Sequence, residues 1–291
     1  MSSALAVPVA PDRAVAAPEA PRLHGDSSTV RSRSARLGSA ALRRLRRILK
    51  PALAVAVLLA VWELAPRLGL VDEVFLPPFS TVAGAFADLA RSGELWEHLS
   101  ASLSRALTGF ALAVALAIPL GVAIGWYRPV AEFLSPVLEL LRNTAALALL
   151  PVFVLILGIG EESKVALVVY AATFPILLNT ISGVRTVDPL LVKAASSLGL
   201  SHVQLFRKVV LPAAVPTVFT GIRMAASSSI LVLIAAEMVG AKAGLGYLIT
   251  ASQYNFQIPT MYAGIVAISV LGLTLNALLV LVERRLSRWR P

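Results

Sequence analysis

Few side chains in this sequence could do chemistry, and their spacing argues against a catalytic centre. Cysteine is absent, which removes disulfides, thiolate metal sites and cysteine nucleophiles together. His24, His98 and His202 stand in a tail and in loops with no ligand spacing between them. Ser227, Ser228 and Ser229 have no paired base, so they read as small polar packing residues rather than a nucleophile. Their hydroxyls could also line a path for an oxyanion. Gly244-x-Gly246 is too short for a phosphate loop and lacks the strand-to-helix context and the lysine. Arg223 and Glu237 fall within or at the end of a long apolar run, where charge is costly enough to suggest function. Both lie near the ends of that run, where snorkelling or a polar loop would solvate them, so structural roles come first and a pathway or gate second. The reading is no catalysis, no metal and no cofactor bound by this chain.

The elements that must position these residues follow from composition. Only 14% of the 291 residues are charged and 57% are hydrophobic, whereas a soluble domain carries roughly a quarter charged residues. The apolar residues gather into runs of about 20, the length that crosses a hydrocarbon core roughly 30 Å thick. Six runs are bounded by charges, Gly and Pro: 51–70, 100–126, 132–157, 164–184, 216–238 and 259–282. They are too long for barrel strands, and helices satisfy their own backbone in lipid. The fold class is all-α, a polytopic membrane bundle of about six transmembrane helices. Pro119, Pro151 and Pro175 interrupt three spans and predict bends. Gly121 and Gly125 form a GxxxG pair suited to close helix packing within the chain.

The net charge of +10 does not imply nucleic acid, because 10 of the 26 Lys and Arg lie in the first 50 residues and much of the rest flanks apolar runs. Such placement controls topology. Acids at Asp72, Glu73, Asp88, Glu94, Glu97, Glu161 and Glu162 mark outer loops; Arg128, Arg185, Lys193, Arg207, Lys208, Arg284, Arg285, Arg288 and Arg290 mark inner segments. Both termini are therefore expected in the cytoplasm. Residues 1–42 form a tail, its first thirty positions rich in Ala, Pro and Ser and expected to be disordered. The cluster Arg43, Arg44, Arg46, Arg47 and Lys50 then opens the membrane domain, 43–291. Glu63 and Arg67 are spaced as an i,i+4 interfacial pair.

One segment does not fit a simple bundle. Residues 185–216 leave the membrane on the basic side for about thirty residues, long for a mere connection. Asp188 and Pro189 supply a cap and a preset first turn, and Gly199 a left-handed stop, so a short helix is expected over 189–198. Ser201 and Gln204 have capping-box spacing and start a second helix, which should run to Val210 and stop before Leu211 and Pro212.

In this segment the sequence VDPLLVKAASSLGLSHVQLFRKVVLPAAVPTVFTGIRMA, residues 187–225, resembles the EAA loop of the inner-membrane permeases of ABC importers. Ala194 and Ala195, Gly199 and the pair Leu211-Pro212 match in spacing. FLPPFSTV at 75–82, GELWEHLSASLSRALTGF at 93–110, LGIGEESK at 157–164 and AEMVGAKAGLGYLI at 236–249 resemble the sulfonate, taurine and nitrate branch. The resemblance covers residues 50–290. It implies a type I ABC importer permease fold, a bacterial inner-membrane location, a second copy of the permease, two cytoplasmic ABC ATPase subunits that bind the ATP, and a solute-binding protein. It also implies that Leu190, Lys193, Ala194, Ala195, Gly199 and Leu200 lie at or near the ATPase contact. Lys193 stands where the family most often has Glu, a charge reversal on the docking helix. The expected function is import of a small oxyanion such as an aliphatic sulfonate, taurine or nitrate. Permeases of the same type serve thiamine precursors, riboflavin and aromatic carboxylates. An ion-driven secondary transporter would instead need buried carboxylates and repeated broken helices.

Overall fold

A computed structural model of the chain describes residue 50 and residues 52–286. The tail 1–42, the arginines at 43–47 and Arg288 and Arg290 lie outside the described residues. The chain divides into two units, Met1–Leu58 and Leu59–Pro291.

Among the described residues the regular structure is helical. Helix α1 covers 52–67. It is followed by α2 (Phe79–Ser92), α3 (Glu94–Trp126), α4 (Arg128–Arg142), a 3₁₀ turn (Ala146–Leu149), α5 (Leu150–Leu157) and α6 (Glu161–Arg185). Next come α7 (Pro189–Ser197), α8 (His202–Leu205), a π turn (Phe206–Val210), α9 (Leu211–Glu237), α10 (Leu245–Tyr254) and α11 (Ile258–Leu286). Four helical stretches are long and apolar enough to cross a bilayer, and five if the α4–α5 pair, bent by 85°, counts as one. The helix of the first expected span, described from residue 52, is the sixth apolar segment.

Several boundaries differ from expectation for identifiable reasons. Asp88, Glu94, Glu97, Glu161 and Glu162 are not loop residues: Asp88 lies on α2, and the glutamates occupy the first turns of α3 and α6. Acids there complement the exposed N–H groups and the positive end of the helix dipole. Pro151 does not interrupt a span. It is the second residue of α5, where its missing donor is harmless, and the chain has already turned between Arg142 and Ala146.

Helix α6 is the centre of the bundle, packed along α3 on one side and α9 on the other. The contacts are built from small residues. A Cβ placed on Gly109, Gly121 or Gly125 of α3 would lie 2.6, 2.7 or 2.8 Å from a side-chain carbon of Val168, Thr180 or Val184. The constant offset of these pairs makes α3 and α6 parallel. Ala113 and Ala117 continue the same stripe and are fully buried, while Leu107, Leu112, Leu116 and Leu120 point outward. Small residues inside and large ones outside is the arrangement expected when the surroundings are lipid, because packing rather than apolar burial then drives association. On the other side of α6, Gly183 faces Ala214 and Thr217, and Gly221 faces Asn179 and Pro175, so α9 runs antiparallel. Helix α1 is tied to α2 by Glu63, which accepts from the amide and hydroxyl of Ser80, both at 2.9 Å, and pairs with Arg67. Trp62 donates to the carbonyl of Pro77 at 3.1 Å.

Leucine at position 121 would overpack the α3–α6 seam and should cost about 1–3 kcal/mol. Thermal unfolding of detergent-solubilised Gly121→Leu should show the loss. Gly84→Leu on α2, where nothing lies within 4 Å of the added carbon, should not. Equal effects of the two substitutions would rule out the seam as the source.

Candidate functional site

The segment between α6 and α9 is an arm whose joints are set by local hydrogen bonds. Asp188 accepts from the amide of Leu190 at 2.8 Å with Pro189 in the first turn, a cap that satisfies a free donor of α7. At the other end the amide of Leu200 donates to Ala195 O at 3.3 Å and that of Gly199 to Ser196 O at 3.0 Å. Gly199 has φ 77°. This Schellman closure requires the left-handed conformation that only Gly adopts at little cost. Ser201 and Gln204 form both halves of a capping box.

The second helix does not stop at Leu211 and Pro212, contrary to the sequence expectation. His202–Glu237 is one helical rod of 36 residues. Proline removes a donor and crowds the carbonyl four residues earlier, but the wider π turn at Phe206–Val210 lies directly before it and absorbs both effects.

Within the arm, Lys193, Ala194 and Gly199 are exposed and Leu200 is half-buried. Leu190 and Leu198 are 72% and 81% exposed, with Leu191 and Val203 also outward. Ala195 is buried, so it belongs to the arm's own packing and not to the outward face expected for both alanines. The arm therefore presents an apolar ridge at the basic end of the bundle.

At the other end lies a buried charge cluster that sequence reasoning did not assemble. Arg105 of α3 is 5% exposed. Its Nη1 donates to Glu237 Oε1 at 2.7 Å and to Ala243 O at 2.7 Å. Its Nη2 donates to Glu161 Oε1 at 2.7 Å, while Nε pairs with the other oxygen of Glu161. Glu237 is 1% exposed, not solvated by a polar loop as expected. It also accepts from Ser102 at 2.8 Å and from the amide of Gly246 at 3.0 Å. Ser102 in turn accepts from the amide of Leu245 at 2.8 Å. His98 Nδ1 accepts from the amide of Gly244 at 3.2 Å, which puts the proton of the neutral ring on Nε2. Lys164 donates to the carbonyls of Ile159 and Gly160 at 2.9 and 3.0 Å. Arg105, Lys164 and Glu237 are buried while Glu161 is exposed at the edge. Two cations and two carboxylates balance, and the fork geometry of the Arg105 pairs is what makes the burial tolerable.

The Gly244-x-Gly246 pair finds its reason in this cluster. Gly244 has φ 124°, and a Cβ on Gly246 would lie 2.3 Å from Ile234 O, so the pair lets α10 start against the end of α9. The signal that could have revealed the cluster is the stripe His98, Ser102, Arg105, spaced four and three residues apart on one helix face.

The other residues singled out do not converge. Arg223 pairs with Glu283, joining α9 to α11. Ser228 and Ser229 donate to the carbonyls of Ala225 and Ala226, both at 3.0 Å, the local back-bonding of helical serines. Ser228 also lies 3.5 Å from Ala171 O, the carbonyl that Pro175 leaves without its helical donor. Ser227 is exposed. Among the described residues no three His, Asp or Glu side chains form a group able to hold a metal.

Removing Arg105 would strand the Glu237 charge in the bundle. Arg105→Ala should lower stability by about 3–5 kcal/mol, and adding Glu237→Gln should recover part of it, because the orphaned charge is gone. A double variant no more stable than the single one, measured by thermal unfolding, would show that the pair does not carry the effect.

Described as "Binding-protein-dependent transport system inner membrane component", a family matches residues 102–288. The putative aliphatic sulfonates transport permease protein SsuC of Bacillus subtilis is 36% identical over 242 residues, 83% of this chain and 88% of that protein. The taurine transport system permease protein TauC of Escherichia coli is 35% identical over 240 residues, covering 81% and 87%. The riboflavin transport system permease protein RibX of Chloroflexus aurantiacus is 34% identical over 252 residues, covering 85% and 94%. Among solved structures, inward-facing MetNI methionine ABC transporter matches with a TM-score of 0.57 and 18% identity over 64% of this chain and 93% of that one, a likeness of fold. The chain belongs to the binding-protein-dependent transport system inner membrane components, and is an ABC importer permease.

Proposed function

We propose that this permease forms the translocation path for a small oxyanion, an aliphatic sulfonate or taurine ahead of nitrate, and that the arm couples it to a separate ATPase. The observation that carries the coupling is the apolar ridge of the arm. Leu190 and Leu191 stand exposed on a helix capped at both ends, with Leu198 exposed at its end. The short turn at 198–201 joins that helix to the rod that continues into α9. Exposed apolar side chains on a fixed helix, outside the apolar spans, mark a protein contact. An ATPase seated there would move the arm and, through the unbroken rod from His202, the Glu237 end of α9. Two ATPase subunits and a second permease copy complete the assembly, since one arm fills half of a two-fold platform. A solute-binding protein delivers the ligand.

Sulfonate and taurine transport are named for relatives aligned over more than four-fifths of this chain, which supports the oxyanion reading. A second reading, a planar aromatic ligand, is favoured by the riboflavin relative and by a cavity of about 730 Å³ where Phe153, Tyr170 and Phe174 line the wall. Uptake of labelled taurine and of an alkanesulfonate by cells carrying the whole importer should exceed background, and riboflavin uptake should not. The reverse pattern would move the assignment to the aromatic class.

Charge placement supports a cytoplasmic position for both termini and the arm of this inner-membrane protein. Impermeant thiol labelling in intact cells should reach Ser92→Cys and not Ser197→Cys, and labelling of the latter would invert the topology. For coupling, Leu190→Asp and Gly199→Val should each reduce ATPase retention and uptake while leaving membrane abundance near wild type. The valine adds about 1–3 kcal/mol of strain at a positive φ. Full ATPase retention by both variants would remove the arm from the contact.

A further inference from the structure

A pocket of about 420 Å³ lies where the end of α3 meets α8 and the π turn. Its wall is apolar, formed by Pro119, Val122 and Ala123; its rim carries Trp126 and Tyr127; and His202 and Arg207 close the polar side. No carboxylate lines it, and Arg207 has no carboxylate partner among the described residues, whereas nearby Arg128 is paired with Glu132 at 2.9 Å.

The level of this pocket relative to the bilayer follows from the chain. Trp126 ends the apolar span of α3, and the next residues, Tyr127 and Arg128, begin the basic segment. Indole and phenol rings at the end of a span sit at the headgroup level. Phe206, the first residue of the π turn, packs edge-on against Trp126 with ring centroids 5.2 Å apart, so the turn forms one side of the pocket.

We propose that this pocket binds an anionic phospholipid of the surrounding bilayer, with the phosphate-bearing headgroup on Arg207 and His202 and an acyl chain along the wall of Pro119, Val122 and Ala123. A zwitterionic lipid would bring its own ammonium to a site already lined by a cation, and free phosphate would leave the apolar wall uncovered. Basic pockets between membrane helices recognise anionic headgroups on these grounds. The inference rests on the membrane reading of the spans and is independent of the transported solute.

Native mass spectrometry of the full-length permease, titrated with dioleoylphosphatidylglycerol and separately with dioleoylphosphatidylcholine, tests it. The anionic lipid should bind the wild type about fivefold more tightly than the neutral one, and Arg207→Ala should lose that factor, the worth of one cation at an anionic surface. Ala123→Trp, which fills the slot without touching charge, should also lose it. Lys242→Ala, an equal loss of charge on the exposed loop before α10, should leave binding unchanged. Thermal unfolding identical to wild type confirms that each variant is folded. Equal phosphatidylglycerol binding by all variants, or its complete displacement by inorganic phosphate, would overturn the assignment.

Discussion

The guanidinium of Arg105 is the constraint around which one end of this protein is organised. A cation within an apolar span cannot be left without partners, and each partner it recruits fixes a different element. Glu161 is the first residue of α6, Glu237 the last of α9, and Ala243 lies in the loop before α10. Glu237, drawn in by the same charge, takes the amide of Gly246 and so holds the first turn of α10 against the end of α9. Two glycines are needed for that approach, one for a backbone angle and one for the absence of a side chain. The helical parts of this end cannot move independently without exposing an unpaired charge.

The opposite end is built on another principle. The arm is held by caps that involve only its own residues, Asp188 at one joint, Gly199 at the next and Ser201 with Gln204 at the third. Such local closure lets it project while retaining a fixed shape. Its exit into α9 is continuous, so the arm and the Arg105 cluster occupy the two ends of a single rod about 50 Å long at 1.5 Å per residue. Under the proposed function this is the mechanical consequence that matters. A push on the arm is felt at Glu237 because the π turn widens the helix without ending it, and Pro212 is placed where it does not break the rod.

Much of this was legible in the sequence, and the failures have physical causes. Apolar runs reported the spans, because length and hydropathy are local properties. The Asp-Pro, Gly and Ser-x-x-Gln signals reported the arm, because caps bond within a few residues. Leu211-Pro212 misled, since proline does end a regular α-helix and nothing local announces a π turn. Glu237 was read as solvated because its partners are 132 and 135 residues away in the chain. Ala195 was expected beside Ala194 at the docking face, yet successive positions on a helix are turned by about 100°, and here that turn leaves Ala194 exposed and Ala195 buried. The transported solute leaves no local signature of this kind.

Lipid as solvent also changes which residues specify the fold. In water, the leucines of α3 would turn inward and their burial would drive folding. Here outward leucines such as Leu116 and Leu120 gain little by contact with protein, since hydrocarbon surrounds them either way. What distinguishes the native arrangement is shape and charge: glycine and alanine where α3 meets α6, and Arg105 where three helix ends meet. Both terms are unforgiving of displacement, one through steric contact and the other through the hydrogen-bond geometry of charged pairs. They act at different heights along α3, the seam from Gly109 to Gly125 and the charge at Arg105. Together they fix the depth and the rotation of that helix against α6, which neither hydropathy nor length could do.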